Sequence, residues 1–153
     1  MTPDENLRRL GLALPPVPKP VGSYVPAVRT GNLVFVSGQL PTKDGKLLAT
    51  GKVGAEVSME EAQACARQAA LNTLAVAADA AGGLGAITRI VRLTGHVASA
   101  PGFTEQATVM NAASNLVADI FGEAGLHSRA ALGAAEVPLG APLELEMIVE
   151  VAG

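Results

Sequence analysis

The sequence predicts an α+β domain in which two long helices lie on one face of a mainly antiparallel sheet. Three observations lead there. Two stretches rich in Ala and Leu carry helix start and stop signals, five stretches have strand character, and the order is helix, two strands, helix, strand, helix, two strands. The 153 residues, 49% of them apolar, fit one domain over 1–153, an extension over 1–20 preceding a core over 21–153. A chain this long buries about 68–70% of its unfolded surface, so no metal or disulfide is needed to hold it together. The single Cys65 has no internal partner in any case.

Thr2-Pro3-Asp4-Glu5 reads as a capping box, with Thr2 as N-cap and Pro3 at the first helical position, and starts a short helix. Pro15, Pro16, Pro18 and Pro20 then rule out helix or central strand and give an extended connector. Two strands, Tyr24 to Thr30 and Leu33 to Leu40, flank Gly31-Asn32 and form a hairpin. Lys43-Asp44-Gly45-Lys46 is a turn, and Leu47 to Val57 has no period and reads as loop. Ser58 and Glu61 make a second capping box, opening a long helix that runs to Ala81 before Gly82-Gly83. Its small inner stripe, including Ala62, Ala66, Ala70 and Leu74, predicts close approach to a sheet.

Thr88 to Ser99 is the next strand, ended by Ala100-Pro101-Gly102. The second long helix follows, with Val109, Ala112, Ala113, Leu116, Val117 and Ile120 at helical spacing. The last strands are Arg129 to Glu136 and Leu143 to Val151, expected to pair as a hairpin about Pro138 to Pro142. Strand 33–40 is apolar on both faces, with Leu33 and Phe35 on one and Val34 and Val36 on the other. Two helices cover only one face of a sheet, so the second is expected to meet another subunit of an obligate homo-oligomer.

Composition narrows the function. A net charge of −3 offers no general attraction for phosphate backbones, and three Phe, one Tyr and no Trp give no stacking platform, so a nucleic-acid partner is not expected. The start Met1-Thr2-Pro3-Asp4-Glu5 lacks secretory character, and no run of about 18 apolar residues occurs. A cytoplasmic protein without membrane contact is the expectation. There is no P-loop, His-Glu-x-x-His, Cys-x-x-Cys or Gly-x-Ser-x-Gly, so no metal site is expected. Cys65, mid-helix among alanines, reads as packing.

The segment with unusual chemistry is His127-Ser128-Arg129, followed by Glu144 and Glu146 on the last strand. Spacing leaves two readings of Arg129: a guanidinium that grips an anion, or a strand-edge arginine paired with a surface glutamate. His127 is either a proton donor at a cleft or a turn residue capping the preceding helix. Asn111 is either a helix-surface amide or a cleft donor. His96 alternates with Arg92 and Thr94 on one strand face and is read as a solvated or interface residue.

Three stretches resemble the reactive-intermediate imine deaminase family, also called RidA or YjgF and formerly endoribonuclease L-PSP. They are Gly31 to Pro41 (GNLVFVSGQLP), the helix start Ser58 to Ala70, and Arg129 through Pro138 to Leu143-Glu144-Leu145-Glu146. With the matching element order they cover nearly the whole chain from Gly22 onward. The resemblance implies a chorismate-mutase-like fold, a homotrimer with its sites in clefts between subunits, and no cofactor. It implies that Arg129 clamps a substrate carboxylate and that Glu144 holds the water attacking an imine carbon, with Glu146 expected on the other sheet face. Tyr24 would line the cleft, Ser37 and Gly38 would border it, and the Ala131 backbone would contact the ligand.

The sequence also departs from the family pattern. Ala131 stands where a Cys is common, Gly22-Ser23-Tyr24-Val25 replaces Gly-Pro-Tyr-Ser, and about twenty residues precede the core. The helix position that often supplies an Asn falls among Asn111, Ser114 and Asn115. His127 would be particular to a longer, divergent subgroup. The expected function is cofactor-independent hydrolysis of small 2-imino or enamine acids to 2-keto acids and ammonia. The alternatives are a non-catalytic trimer that binds small carboxylates and, fitting the charge poorly, an endoribonuclease.

Overall fold

A computed structural model describes residues 1–20 and 22–153; Val21, the first residue of the expected core, lies outside the described residues. Helix α1 (Pro3–Arg9) begins at the Thr2 capping box, and Asn6 ties it to the second long helix by donating to the Ile120 carbonyl at 2.9 Å. Strands β1 (Ala27–Thr30) and β2 (Leu33–Gln39) form the expected hairpin, with Thr30 opposite Leu33 and Gly31 at φ +58° in the turn. Strand β1 is shorter than its sequence suggests, because Pro26 withholds a backbone donor. Residues 42–47 hold a small hairpin, β3 (Thr42–Lys43) and β4 (Lys46–Leu47), where a turn and loop are expected. Asp44 and Gly45 both take positive φ there, the backbone of a two-residue hairpin turn.

Helix α2 (Met59–Ala81) starts at the Ser58 and Glu61 capping box and ends at Gly82, φ +93°. Its Ala62, Ala66, Ala70, Leu74 and Ala77 are buried, as the small-residue stripe requires. Cys65 is buried among them, and burial, reinforced by Glu61, pushes its thiol up to about 11, so it packs as an apolar group. Strand β5 (Ile87–Ala98), helix α3 (Gln106–Phe121), strand β6 (Ser128–Ala134) and strand β7 (Leu143–Val151) complete the chain.

The sheet order is β1-β2-β7-β5-β6, antiparallel except for the parallel pair β5 and β6. The expected C-terminal hairpin is therefore corrected: β7 inserts between β2 and β5, and β6 lies on the far side of β5. The physical cause lies in the pattern of burial. Strand β7 alternates Leu143, Leu145, Met147, Val149 and Val151, each no more than 2% exposed, which suits a central strand. Strand β6 is short, contains Gly133 and has no fully buried residue, which suits an edge. Chain order β5–α3–β6 is then a parallel crossover that lays α3 against β5 and β6.

Both long helices pack on the face carrying Val34, Val36, Ile90, Leu93, Val97 and the buried residues of β7. Gly95 lets α3 come close, since a Cβ there would lie 2.5 Å from Met110 Sδ. The other face shows Phe35, 42% exposed, Leu132, 55% exposed, and Ile148, with Arg92, Thr94, His96, Glu144 and Glu146 between them. Glu146 thus shares the face of Glu144 and does not oppose it. Residues two apart on a strand point the same way.

Candidate active site

The open-face cluster centres on Glu144. In the β5–β7 ladder His96 stands opposite Glu144 and Thr94 opposite Glu146, and His96 Nε2 is 3.6 Å from Glu146 Oε2. Burial pushes the Glu144 carboxyl up; His96 counteracts this by Coulomb attraction, and the like charge of Glu146 adds to it. A carboxyl raised in this way is suited to take a proton from water. Its side chain lies directly against Gly38, where a Cβ would fall 2.7 Å from Glu144 Cδ. The ladder between β2 and β7 shifts register between Val36 and Gln39, so the strand bulges where the carboxylate passes.

Beside Gly38 lies a cavity of about 70 Å³ bordered by Lys19, Tyr24, Pro26, Gly38, Gln39 and Leu139. Ser37 fixes one wall, because its Oγ donates to the Val25 carbonyl at 2.7 Å and its N–H to the Pro26 carbonyl at 2.9 Å. Asn72, 1% exposed on α2, fixes another by donating to the carbonyls of Leu40 and Thr42, both at 2.9 Å. Tyr24 and Gly38 both line this cavity, and Glu144 lies against Gly38. The proline connector contributes Pro18, Lys19 and Pro20 to the same cavity.

The remaining candidates gather elsewhere. Arg129 is opposite Leu93 in the parallel ladder and lies under α3, on the helix-covered side of β6. Its Nη1 donates to Asn111 Oδ1 at 2.8 Å and to Ser114 Oγ at 3.1 Å, and its Nη2 reaches the Ala107 carbonyl at 3.5 Å. Among the described residues no carboxylate pairs with Arg129. The surface ion pair that spacing allowed is thus absent among them. His127 contacts Ser114 Oγ through Nε2 at 2.9 Å and the Gly125 carbonyl through Nδ1 at 2.6 Å. Ala131, two residues beyond Arg129, lies on the same side and packs against the core.

The candidate residues thus fall into two separate clusters. Arg129 and Glu144 sit on opposite faces of the sheet with β5 between their strands, a lateral separation of about 9–10 Å before side-chain direction is counted. Spacing misses His96 beside Glu144, because cross-strand register cannot be read from one strand. It leaves Asn111, Ser114 and Asn115 open, and the geometry brings the first two to Arg129 while Asn115 is exposed. No group of three or more potential metal ligands occurs among the described residues. No helix among them is long and apolar enough to cross a membrane.

Residues 4–150 match the family described as "YjgF/chorismate_mutase-like, putative endoribonuclease". The chain belongs to this family. The chain is 43% identical to Protein TCP17 of Trypanosoma cruzi over 146 residues, covering 95% of this chain and 91% of that protein. The crystal structure of Atu1372 from Agrobacterium tumefaciens, a protein of unknown function, superposes with a TM-score of 0.91. The two are 44% identical, over 99% of this chain and 94% of that one. TdcF of E. coli, solved with bound serine, has a TM-score of 0.67 at 25% identity, over 89% of this chain and 94% of that one. The α+β chorismate-mutase-like architecture is that of the YjgF family.

Proposed function

We propose that this YjgF-family protein is a cofactor-independent hydrolase of small 2-imino acids, acting as a homotrimer. Arg129 carries the reading. It is a guanidinium oriented by neutral acceptors, with no carboxylate partner among the described residues, and it presents the planar fork that binds a carboxylate by parallel hydrogen bonds. Serine bound to TdcF, a small molecule bearing a carboxylate, supports a ligand of this class. Because Arg129 and Glu144 occupy opposite faces, one ligand meets both only when Arg129 of one copy approaches Glu144 of another. The exposed Phe35 and Leu132 on the open sheet face support that assembly.

In the proposed reaction Arg129 holds the carboxylate, and Glu144 holds a water against the imine carbon. The water oxygen attacks carbon as Glu144 accepts its proton. That proton passes to the imine nitrogen to give a carbinolamine. Glu144 then takes the proton of the new hydroxyl and returns it to the amine as the carbon–nitrogen bond breaks, so that the carbonyl forms and ammonia and a 2-keto acid leave. An imine carbon is already electrophilic, so positioning supplies much of the acceleration and no cofactor takes part. Tyr24, Ser37 and Gly38 border the substrate on the Glu144 side, and Asn111 and Ala131 on the Arg129 side, with His127 behind Ser114.

Ammonia release from 2-iminopropanoate and 2-iminobutanoate, generated in situ by an amino-acid oxidase, tests the reading. Wild type accelerates release and Arg129→Ala does not; equal rates would overturn it. Ala131, where a Cys is common in the family, favours a second reading as a non-catalytic binder of small carboxylates. That reading expects pyruvate to raise the melting temperature of wild type without any ammonia release. A cytoplasmic location is proposed on the same footing.

A further inference from the structure

We propose that His127 is a positioning residue that aims Arg129 through Ser114, and that it does so as the neutral tautomer protonated on Nδ1. The inference rests on the reading of Arg129 as the carboxylate clamp. For a neutral ring the direction of each hydrogen bond follows from the inventory of donors and acceptors. The Gly125 carbonyl can only accept, so at 2.6 Å His127 Nδ1 carries the proton. Neutral His127 Nε2 is then an acceptor, and the Ser114 hydroxyl 2.9 Å away donates to it. With its proton committed, Ser114 Oγ offers lone pairs, and Arg129 Nη1 donates to it at 3.1 Å. The chain from arginine to carbonyl has one consistent direction and no spare proton.

Each member is held by the fold. Gly125 is buried at the end of the turn over Gly122–Gly125, where a Cβ would lie 2.7 Å from the Val117 carbonyl oxygen, so its carbonyl is fixed against α3. Ser114 and Asn111 sit one turn apart on α3 and reach Arg129 from the same side. Two acceptors on Nη1 leave Nη2 and Nε directed by the plane of the guanidinium. A ligand carboxylate therefore meets a fork whose orientation was set before it arrived, which reduces the ordering cost of binding. His127 meets the Gly125 carbonyl in the turn that follows α3 rather than a carbonyl of α3 itself, and Ser114 gives the same ring a second contact.

The test reads Arg129 with and without ligand. In wild type, 15N resonances of His127 should show Nδ1 protonated and Nε2 accepting, and the Arg129 guanidinium should rotate slowly about Nε–Cζ. His127→Leu should speed that rotation, and His127→Gln, whose amide oxygen can accept from Ser114, should slow it again. Calorimetry with pyruvate should show Kd raised about tenfold by His127→Leu, the scale of one loosened hydrogen bond to a charged group, and restored by His127→Gln. KM for 2-iminopropanoate should rise with it while kcat stays within about twofold, the signature of lost ground-state binding. An Nε2-protonated ring in wild type, or rotation and Kd unchanged in His127→Leu, overturns the inference. Should rotation respond while Arg129→Ala leaves pyruvate binding intact, the positioning holds and the carboxylate reading fails instead.

Discussion

Gly38 has no Cβ because the Glu144 carboxylate occupies that space. Gly38→Ala should swing the carboxylate out of place and lower imine hydrolysis about 100-fold, the scale of a misplacement of about 1 Å, with little change in circular dichroism. In the proposed reaction Glu144 also sets the pH response. Its carboxyl is raised, mainly by burial, so the ionised form that accepts a proton is lost at a higher pH than for an ordinary glutamate. Glu146→Gln removes the like charge and should move the acid limb of kcat/KM to lower pH. His96→Gln removes a favourable cation and should move it higher. For stability the sign is opposite: a raised folded value favours the neutral group, so this contribution is present below the unfolded value and fades as pH rises through the folded one. Thermal unfolding of wild type and Glu144→Gln across that range would show the difference.

At the scale of elements, two local devices position the site. The Ser58 capping box begins α2, and α2 carries the buried Asn72 that holds the cavity wall at Leu40 and Thr42. Ser58→Ala should cost about 1 kcal/mol in denaturant unfolding by removing an acceptor for the Glu61 N–H. Gly95 lets α3 lie against β5, so that Asn111 and Ser114 reach Arg129. Gly95→Ala should cost about 1–3 kcal/mol by overpacking against Met110. It should also weaken pyruvate binding, because the helix that orients Arg129 is pushed outward. Loss of stability with unchanged pyruvate affinity would separate helix packing from the site.

For the whole molecule, the decisive feature is that Arg129 and Glu144 face opposite ways. Under the proposed composite site, Arg129→Ala and Glu144→Gln proteins are each inactive, yet mixed after dissociation and reassembled they should recover activity, because some clefts pair an intact Arg129 with an intact Glu144. No recovery would place both groups in one chain's site. Sedimentation at micromolar concentration should give three times the 15.4 kDa chain mass. Phe35→Glu, which puts a charge on the exposed apolar face, should give the monomer.

Local signals made much of this protein legible. The capping residues at Thr2 and Ser58, the stop at Gly82, the hairpin at Gly31 and the alternation of β7 depend on neighbours a few residues away, and the structure repeats them. Both clusters of candidate residues contain side chains that their types and motifs single out. What the chain order could not decide is which strand lies beside which. Residues 129 and 144 are close in sequence, and a hairpin was the economical pairing, but the burial demand of β7 puts it in the centre of the sheet and leaves β6 at the edge. That choice sends Arg129 under α3, sets His96 against Glu144, and joins His127 to Ser114. These are contacts across strands and between a helix and a sheet, fixed by the competition of whole faces for burial, so only the tertiary structure determines them.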